Sequence, residues 1–357
     1  MTARRFLDAP KTIEIDARHA IKTLVFVEGT KQVLSGGSEG KLRRWRVSDG
    51  GEVGEPIQSG GEEIWATALS PDGKWLVCGL KPVSGNDGKA SVEVWNAQTH
   101  KKVFDIQDRN TIVVSVGIST DSTTFATGSD DTAFIWSMTT GEQLVGPLEH
   151  DGSVVAVQFS PNGDRRVATA AVSWGTSSVR IYNSDNGQLL FDLPEVFKYD
   201  SSVYLAWSVD ARQLFVAFNG ELERFDASSG SSLSQWATPS GSPIRIAVAR
   251  SQKFIVVSTC LSVSFWDTST HEQIGTTLEH TSPILSTVLS SNDDHVAVGK
   301  QNGKVTLRYL RDILPGAYLT VNVCNSIHSK GGESNKSCLS SVFFAYRECS
   351  NTKISLI

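Results

Sequence analysis

The sequence of 357 residues contains no apolar run approaching the roughly eighteen residues that a membrane-spanning helix needs. Its opening, MTARRFLDAPKTIEID, lacks the apolar core of a secretory signal, so none is expected. Nowhere is helical periodicity with caps sustained over about twelve residues, which argues against helices as the main elements. A basic surplus is missing as well. With 33 Lys and Arg against 38 Asp and Glu, the net charge of −5 disfavours sequence-independent binding to nucleic acid. There is no His-Glu-x-x-His, no Gly-x-Ser-x-Gly and no phosphate loop. The Gly-rich SGGSEG at 35–40 sits between strands, whereas a phosphate cradle needs a following helix N-terminus. The five cysteines form no Cys-x-x-Cys pair, so zinc is not indicated. Cys78 and Cys260 lie in apolar runs and read as small buried hydrophobes, whereas Cys324, Cys338 and Cys349 fall in a polar tail. A chain of this length buries roughly 75% of its unfolded surface and needs no covalent staple.

What the sequence does have is a repeat. ATALSPDGKWLVCGL at 66–80 returns as VAVQFSPNGDRRVATA at 155–170: an apolar stretch, a Ser-Pro turn and a second apolar stretch. Pro presets one turn dihedral and Gly supplies the positive one, so the segment reads as a folding signal. Seven aromatics mark the period: Trp45, Trp95, Trp136, Tyr182, Phe225, Trp266 and Tyr309. Their gaps of 50, 41, 46, 43, 41 and 43 residues bracket the length of a four-stranded propeller blade. The third unit shows the pattern: IVVSVGIS, TFATGS, TAFIWSM and an outer strand from TTGEQLVGPL. The expected fold is therefore all-β, a seven-bladed propeller of four-stranded antiparallel blades.

HDGSVVAVQFSPNGDRRVATA (150–170), TGSDDTAFIW (127–136) and VSFWDTSTHEQI (263–274) resemble the WD-repeat (WD40) β-propeller family. The resemblance covers roughly residues 10–313. Trp-Asp itself occurs once, at Trp266-Asp267, with Phe225-Asp226 as a near copy. In that family a His, a Ser or Thr, an Asp and a Trp form a hydrogen-bonded set within a blade. Blade one offers His19, Ser35 and Trp45, with Glu39 in the Asp place. Blade three offers Thr127, Asp130 or Asp131, and Trp136. Blade four has His150 and Thr169 with Tyr182 for Trp, and blade seven has His280 and Asn302 with Arg308 for Trp. No blade keeps the whole set, so packing is expected to carry the stability. KTIEID at 11–16 is expected to be the outer strand of blade seven, locking the ring. The division expected is an N-terminal arm at 1–9, the propeller at 10–313 and a flexible tail at 314–357.

The resemblance also implies a binding face, where the loops between blades meet partners. The position aimed at that face near the channel is read as Lys22, Trp65, Val114, Val155, Val203, Arg245 and Leu285. Trp and Arg suit an interface hot spot. Trp174, in a Ser/Gly loop of blade four, is added as an aromatic contact. The acidic pairs Asp130-Asp131 and Asp293-Asp294 read as turn residues. The functional expectation is a non-catalytic scaffold or adaptor for protein or peptide partners, monomeric by itself, cytoplasmic or nuclear, with no cofactor or metal and no nucleic acid or membrane among its partners. Two alternatives are a lactonase-like propeller hydrolase with a metal in the channel, and an RNA- or ribosome-associated scaffold. The ring positions offer no ligand for that metal.

Overall fold

A computed structural model describes residues 12–60, 63–81, 90–108, 112–173, 176–193, 203–218, 220–238 and 245–319. Among these residues, 28 strands form seven sheets of four. Two short 3-10 turns, Leu310–Asp312 and Gly316–Tyr318, are the helical elements there. Each blade begins with its innermost strand. These first strands are Ile21–Val27, Glu63–Leu69, Val113–Ile118, Ser153–Phe159, Val203–Trp207, Arg245–Val248 and Ile284–Leu289. In six blades the remaining strands follow outward in chain order, and in all seven the pairing is antiparallel. The last blade comes back to the first: Gly299 of blade seven lies against Ile21 and Leu24 of blade one. The chain is thus an all-β seven-bladed propeller.

The expected closure is present. Thr12–Asp16 pairs antiparallel with Lys304–Tyr309, in register from Thr12 opposite Arg308 to Asp16 opposite Lys304. Ile13 and Ile15 turn inward and are buried, while Thr12, Glu14 and Asp16 are exposed. This alternation is what a half-buried outer strand requires.

The repeated Ser turn has a defined job. The hydroxyl of Ser70 donates to Asp72 at 2.6 Å and accepts the backbone N–H of Trp75 at 2.8 Å. Ser208 repeats both contacts, with Asp210 at 2.6 Å and the N–H of Gln213 at 2.9 Å. One hydroxyl thereby folds the turn and starts the second strand.

Packing runs between blades. Phe125 of blade three is fully buried in a cluster with Ala66, Val92 and Val94 of blade two. At the outer edge, the turn between third and fourth strands docks on the preceding blade. Gly141, at φ 71°, leaves room for only the Phe104 ring of blade two, 3.0 Å from where a Cβ would sit. In blade six that turn position is His271, at φ 61°, stacked on Trp236 of blade five with centroids 4.1 Å apart.

The chain remains packed beyond blade seven's third strand. Leu310, Ile313 and Leu314 are buried against Leu278 of blade six. The Tyr318 hydroxyl donates to Asp267 at 2.7 Å, and Lys253 Nζ donates to the Ala317 carbonyl at 2.7 Å. The arm at 1–9, and the tail from 320 onward, lie outside the described residues. Cys78 is fully buried as expected, and burial followed by the charge of Glu93 pushes its thiol pKa well up. Cys260 differs: it is half-buried in the turn between Phe254–Ser258 and Ser262–Asp267, because its apolar run is broken there.

Candidate functional site

The start of each first strand sets the candidate face. In five blades the pairing with the second strand shifts at this point. The shifts fall between Ile21 and Thr23, Ile64 and Ala66, Val113 and Ser115, Val154 and Ala156, and Ile284 and Ser286. The skipped residues are Lys22, Trp65, Val114, Val155 and Leu285, all read from the sequence as ring positions. A bulge frees one residue from the ladder and re-aims its side chain. Five blades therefore release one residue each at the same end of the ring. Val203 holds the corresponding place in blade five, paired with Phe218 without a shift.

Arg245 does not belong to this ring. It pairs with Ser258, and Ile246 pairs with Val257, which makes Arg245 the counterpart of Tyr204 rather than of Val203. A slip of one residue sends a strand side chain to the opposite face. Arg245 is accordingly 2% exposed, stacks 5.5 Å from the Tyr204 ring and donates to the Ile284 carbonyl at 3.0 Å. It ties blades five, six and seven together from within. The residue before it, Ile244, lies outside the described residues, as does Trp174.

Burial also changes what the ring presents. Trp65 is 9% exposed, about as buried as Trp266 at 8%. Its ring lies under Lys22 Nζ, 3.8 Å from the centroid, with Lys81 Nζ 5.6 Å away. Its indole N–H donates to Glu63 at 3.0 Å, and Glu63 also holds the Lys22 ammonium. Burial opposes the Glu63 charge, but Lys22, the indole and Lys81 outweigh it and lower its pKa. Lys22, Glu63, Trp65 and Lys81 thus form one cluster across blades one and two, with two cations and one carboxylate around the indole. Glu63 and Lys81 were not singled out from the sequence, because nothing local links them to Lys22. Lys22, Val203 and Leu285 are buried, whereas Val114 and Val155 are half-exposed.

The hydrogen-bonded sets expected within blades are present in pieces. Trp45 donates to Ser35 at 2.7 Å and Trp136 to Thr127 at 2.9 Å. His150 and Thr169 meet at 2.9 Å. In blade two Trp95 donates to Glu93 at 3.2 Å, and in blade six Trp266 donates to Ser264 at 2.9 Å. His19 is exposed and stands outside the Ser35–Trp45 pair, and Glu39 is held by Arg43 and Lys41. Asp130 is exposed in its turn at φ 33°. Asp267 accepts from Ser269, Thr270 and Tyr318, which outweigh burial and lower its pKa. His280 is driven down to about 4 by burial, then by Lys300 and Arg308. Among the described residues no three His, Cys, Asp or Glu side chains converge as metal ligands, and no helix is long and apolar enough to cross a membrane.

Seven four-stranded blades, the last completed by an N-terminal strand, define a β-propeller. The WD40 family, described as "WD domain, G-beta repeat", matches residues 100–137. That match lies inside a seven-bladed ring, and the two findings together support a WD-repeat family protein. It is 27% identical over 157 residues to Periodic tryptophan protein 2 homolog of Dictyostelium discoideum, covering 44% of this chain and 16% of that one. It is 31% identical over 134 residues to Small ribosomal subunit protein RACK1y of Oryza sativa subsp. japonica, covering 36% and 38%. It is 26% identical over 229 residues to Apoptotic protease-activating factor 1 of Rattus norvegicus, covering 61% and 17%. In each case the match spans well under half of the relative's length.

Proposed function

We propose that this protein is a non-catalytic scaffold that binds protein or peptide partners on the face where its first strands begin. The observation that carries the reading is the set of bulges at Lys22, Trp65, Val114, Val155 and Leu285, one per blade at one end of a rigid ring. Their release from pairing supports a role in contact, and Val114 and Val155 supply half-exposed aliphatic surface on neighbouring blades. Lys22 and Trp65 act mainly by holding that surface rigid, which lowers the ordering cost of binding. Val203 supports it from below. Two of the relatives are named for a ribosomal subunit and for activation of a protease, which supports work inside a larger protein assembly in the cytoplasm or nucleus. Ribosome association is the second reading, favoured by the 31% identity to RACK1y. The net charge of −5 would route it through protein rather than RNA contacts.

The test is affinity capture followed by mass spectrometry, with the double variant Val114→Glu/Val155→Glu beside the wild type. Two carboxylates in an aliphatic contact cost binding through desolvation. Partners should be lost while the melting curve is retained. An unchanged partner set would refute this choice of face.

A further inference from the structure

The opposite face of the ring, where the first strands end, carries a second pattern. Near the end of each first strand stands an apolar residue: the last one in six blades (Leu69, Ile118, Phe159, Trp207, Val248 and Leu289) and the last but one, Phe26, in blade one. Phe26, Leu69, Ile118, Trp207, Val248 and Leu289 line a funnel of about 100 Å³ at that mouth of the channel. Around it lies a crown of cations. The residue two places before the second-strand partner of that apolar residue is Lys31, Lys74, Arg165, Arg212 and Lys253 in blades one, two, four, five and six. All five side chains are exposed, Lys74 to 62%, Arg165 to 71% and Arg212 to 85%. The same turns also hold carboxylates, but these are used in folding. Asp72 accepts from Ser70 and from the N–H of Lys74, and Asp210 accepts from Ser208 and from the N–H of Arg212. The ion pairs Lys74–Asp72 at 3.3 Å, Arg165–Asp185 at 2.6 Å and Arg212–Asp210 at 4.0 Å are exposed and so exchange readily for a partner's carboxylate.

We propose that this mouth docks an acidic peptide segment carrying one bulky apolar side chain, which enters the funnel while its flanking carboxylates meet the crown. The two rings fix the chemistry of the partner separately. An engineered cavity of roughly 150 Å³ holds a benzene molecule, so a funnel two-thirds that size suits one aliphatic side chain. It is too narrow for a lipid surface, and its apolar floor has no use in a charge-only contact with nucleic acid. Four of these cations, on blades one, two, four and five, complement a chain of carboxylates and speed its approach at low salt, whereas Lys253 is engaged with the Ala317 carbonyl. Arg250 and Asp293, also at the mouth, stay with the fold: Asp293 is 1% exposed and accepts the N–H groups of Arg250 and Ser251 at 2.8 Å each.

The experiment uses the full chain and a short fluorescent peptide of Asp, Glu and Ser around a single Leu, read by anisotropy. Binding should saturate and weaken as salt rises. The triple variant Lys74→Glu/Arg165→Glu/Arg212→Glu should lose affinity by roughly tenfold or more, with an unchanged melting curve because all three side chains are exposed. A peptide with Ser in place of Leu should also bind more weakly. Val114→Glu/Val155→Glu, on the other face, should bind the peptide as the wild type does, which keeps this result separate from the preceding proposal. Absence of saturable binding, equal binding by the triple variant, or equal binding of the Leu-free peptide would each overturn the assignment. So would equal competition by a single-stranded RNA of matching charge.

Discussion

His150 gives the propeller an acid sensitivity whose size follows from its surroundings. The ring is 6% exposed, contacts the Thr169 hydroxyl at 2.9 Å and the Ser178 hydroxyl at 3.3 Å, and meets Tyr182 edge-on. Burial first, and the Arg180 charge second, bring its pKa down to about 4. In the unfolded chain the same imidazole titrates near about 6.5. Folding therefore favours the neutral ring. Its contribution is whole above the unfolded value and drains away as pH falls toward the folded one. At about pH 5 protonation favours the unfolded chain by about thirtyfold at this residue, or about 2 kcal/mol, whereas at about pH 7.5 the effect is close to zero. Urea unfolding at the two pH values should show that loss in the wild type. His150→Gln should be less stable at neutral pH and should lose about 2 kcal/mol less on acidification. The difference between the two proteins cancels His280 and the carboxylates, which titrate in both. Equal acid losses in wild type and variant would refute the reasoning.

Deletion of residues 1–17 should lower the melting temperature and promote aggregation, as thermal unfolding and solution scattering would register, because it opens the edge of Lys304–Tyr309. An unchanged melting curve would count against closure by this strand. Trp266→Ala should cost roughly 3–5 kcal/mol, and Trp65→Ala should fall in the same range, since a large buried ring leaves a cavity in either case. Denaturant midpoints showing Trp65→Ala to be nearly neutral would contradict the packing of Trp65 beneath Lys22.

The period and the Ser turn were legible because both are local. A hydroxyl that must reach an Asp two residues on and an N–H five residues on leaves its mark within one short stretch. Register was not legible where both faces of a strand are buried. GSPIRIAV has apolar residues at both parities around Arg245, so nothing in the letters chose between Ile244 and Arg245 for the channel end. Only pairing with Ser258 decided it. Bulges were likewise invisible, since an extra residue changes no composition. Trp65 therefore read as a free rim side chain, whereas its bulge lays the ring between Lys22 and Lys81. The crown of cations was within reach of the sequence. Lys or Arg stands just before the second strand in five of seven units, but aligning the units on their aromatics drew attention away from that place.

The two chain ends meet the same mechanical need from opposite directions. In an ordinary blade the turn between third and fourth strands leans on the outer strand of the blade before it, as Gly187 does on Val145 and Leu148, and Gly230 on Phe191 and Leu193. Blade seven takes its fourth strand from the N-terminus, so its third strand runs on into no such turn. The residues that follow fill the gap. Ile313 and Leu314 press on Gly275 of blade six, where a Cβ would lie 2.5 Å from the Ile313 carbonyl oxygen. The N-terminal strand carries a second load as well, because Gly50 of blade one's turn rests on Ile13 and Ile15. Thr12–Asp16 is thus both the outer strand of blade seven and the floor for blade one, and residues 310–314 close the remaining seam against blade six. Hydrogen-bonded sets can be incomplete in every blade because neighbouring blades are held by this succession of docked turns, whose contacts are apolar and shape-dependent. The exposed side chains of the two channel faces then carry little of the stability, and it is there that Val114 and Val155 on one side, and the cation crown on the other, differ in chemistry.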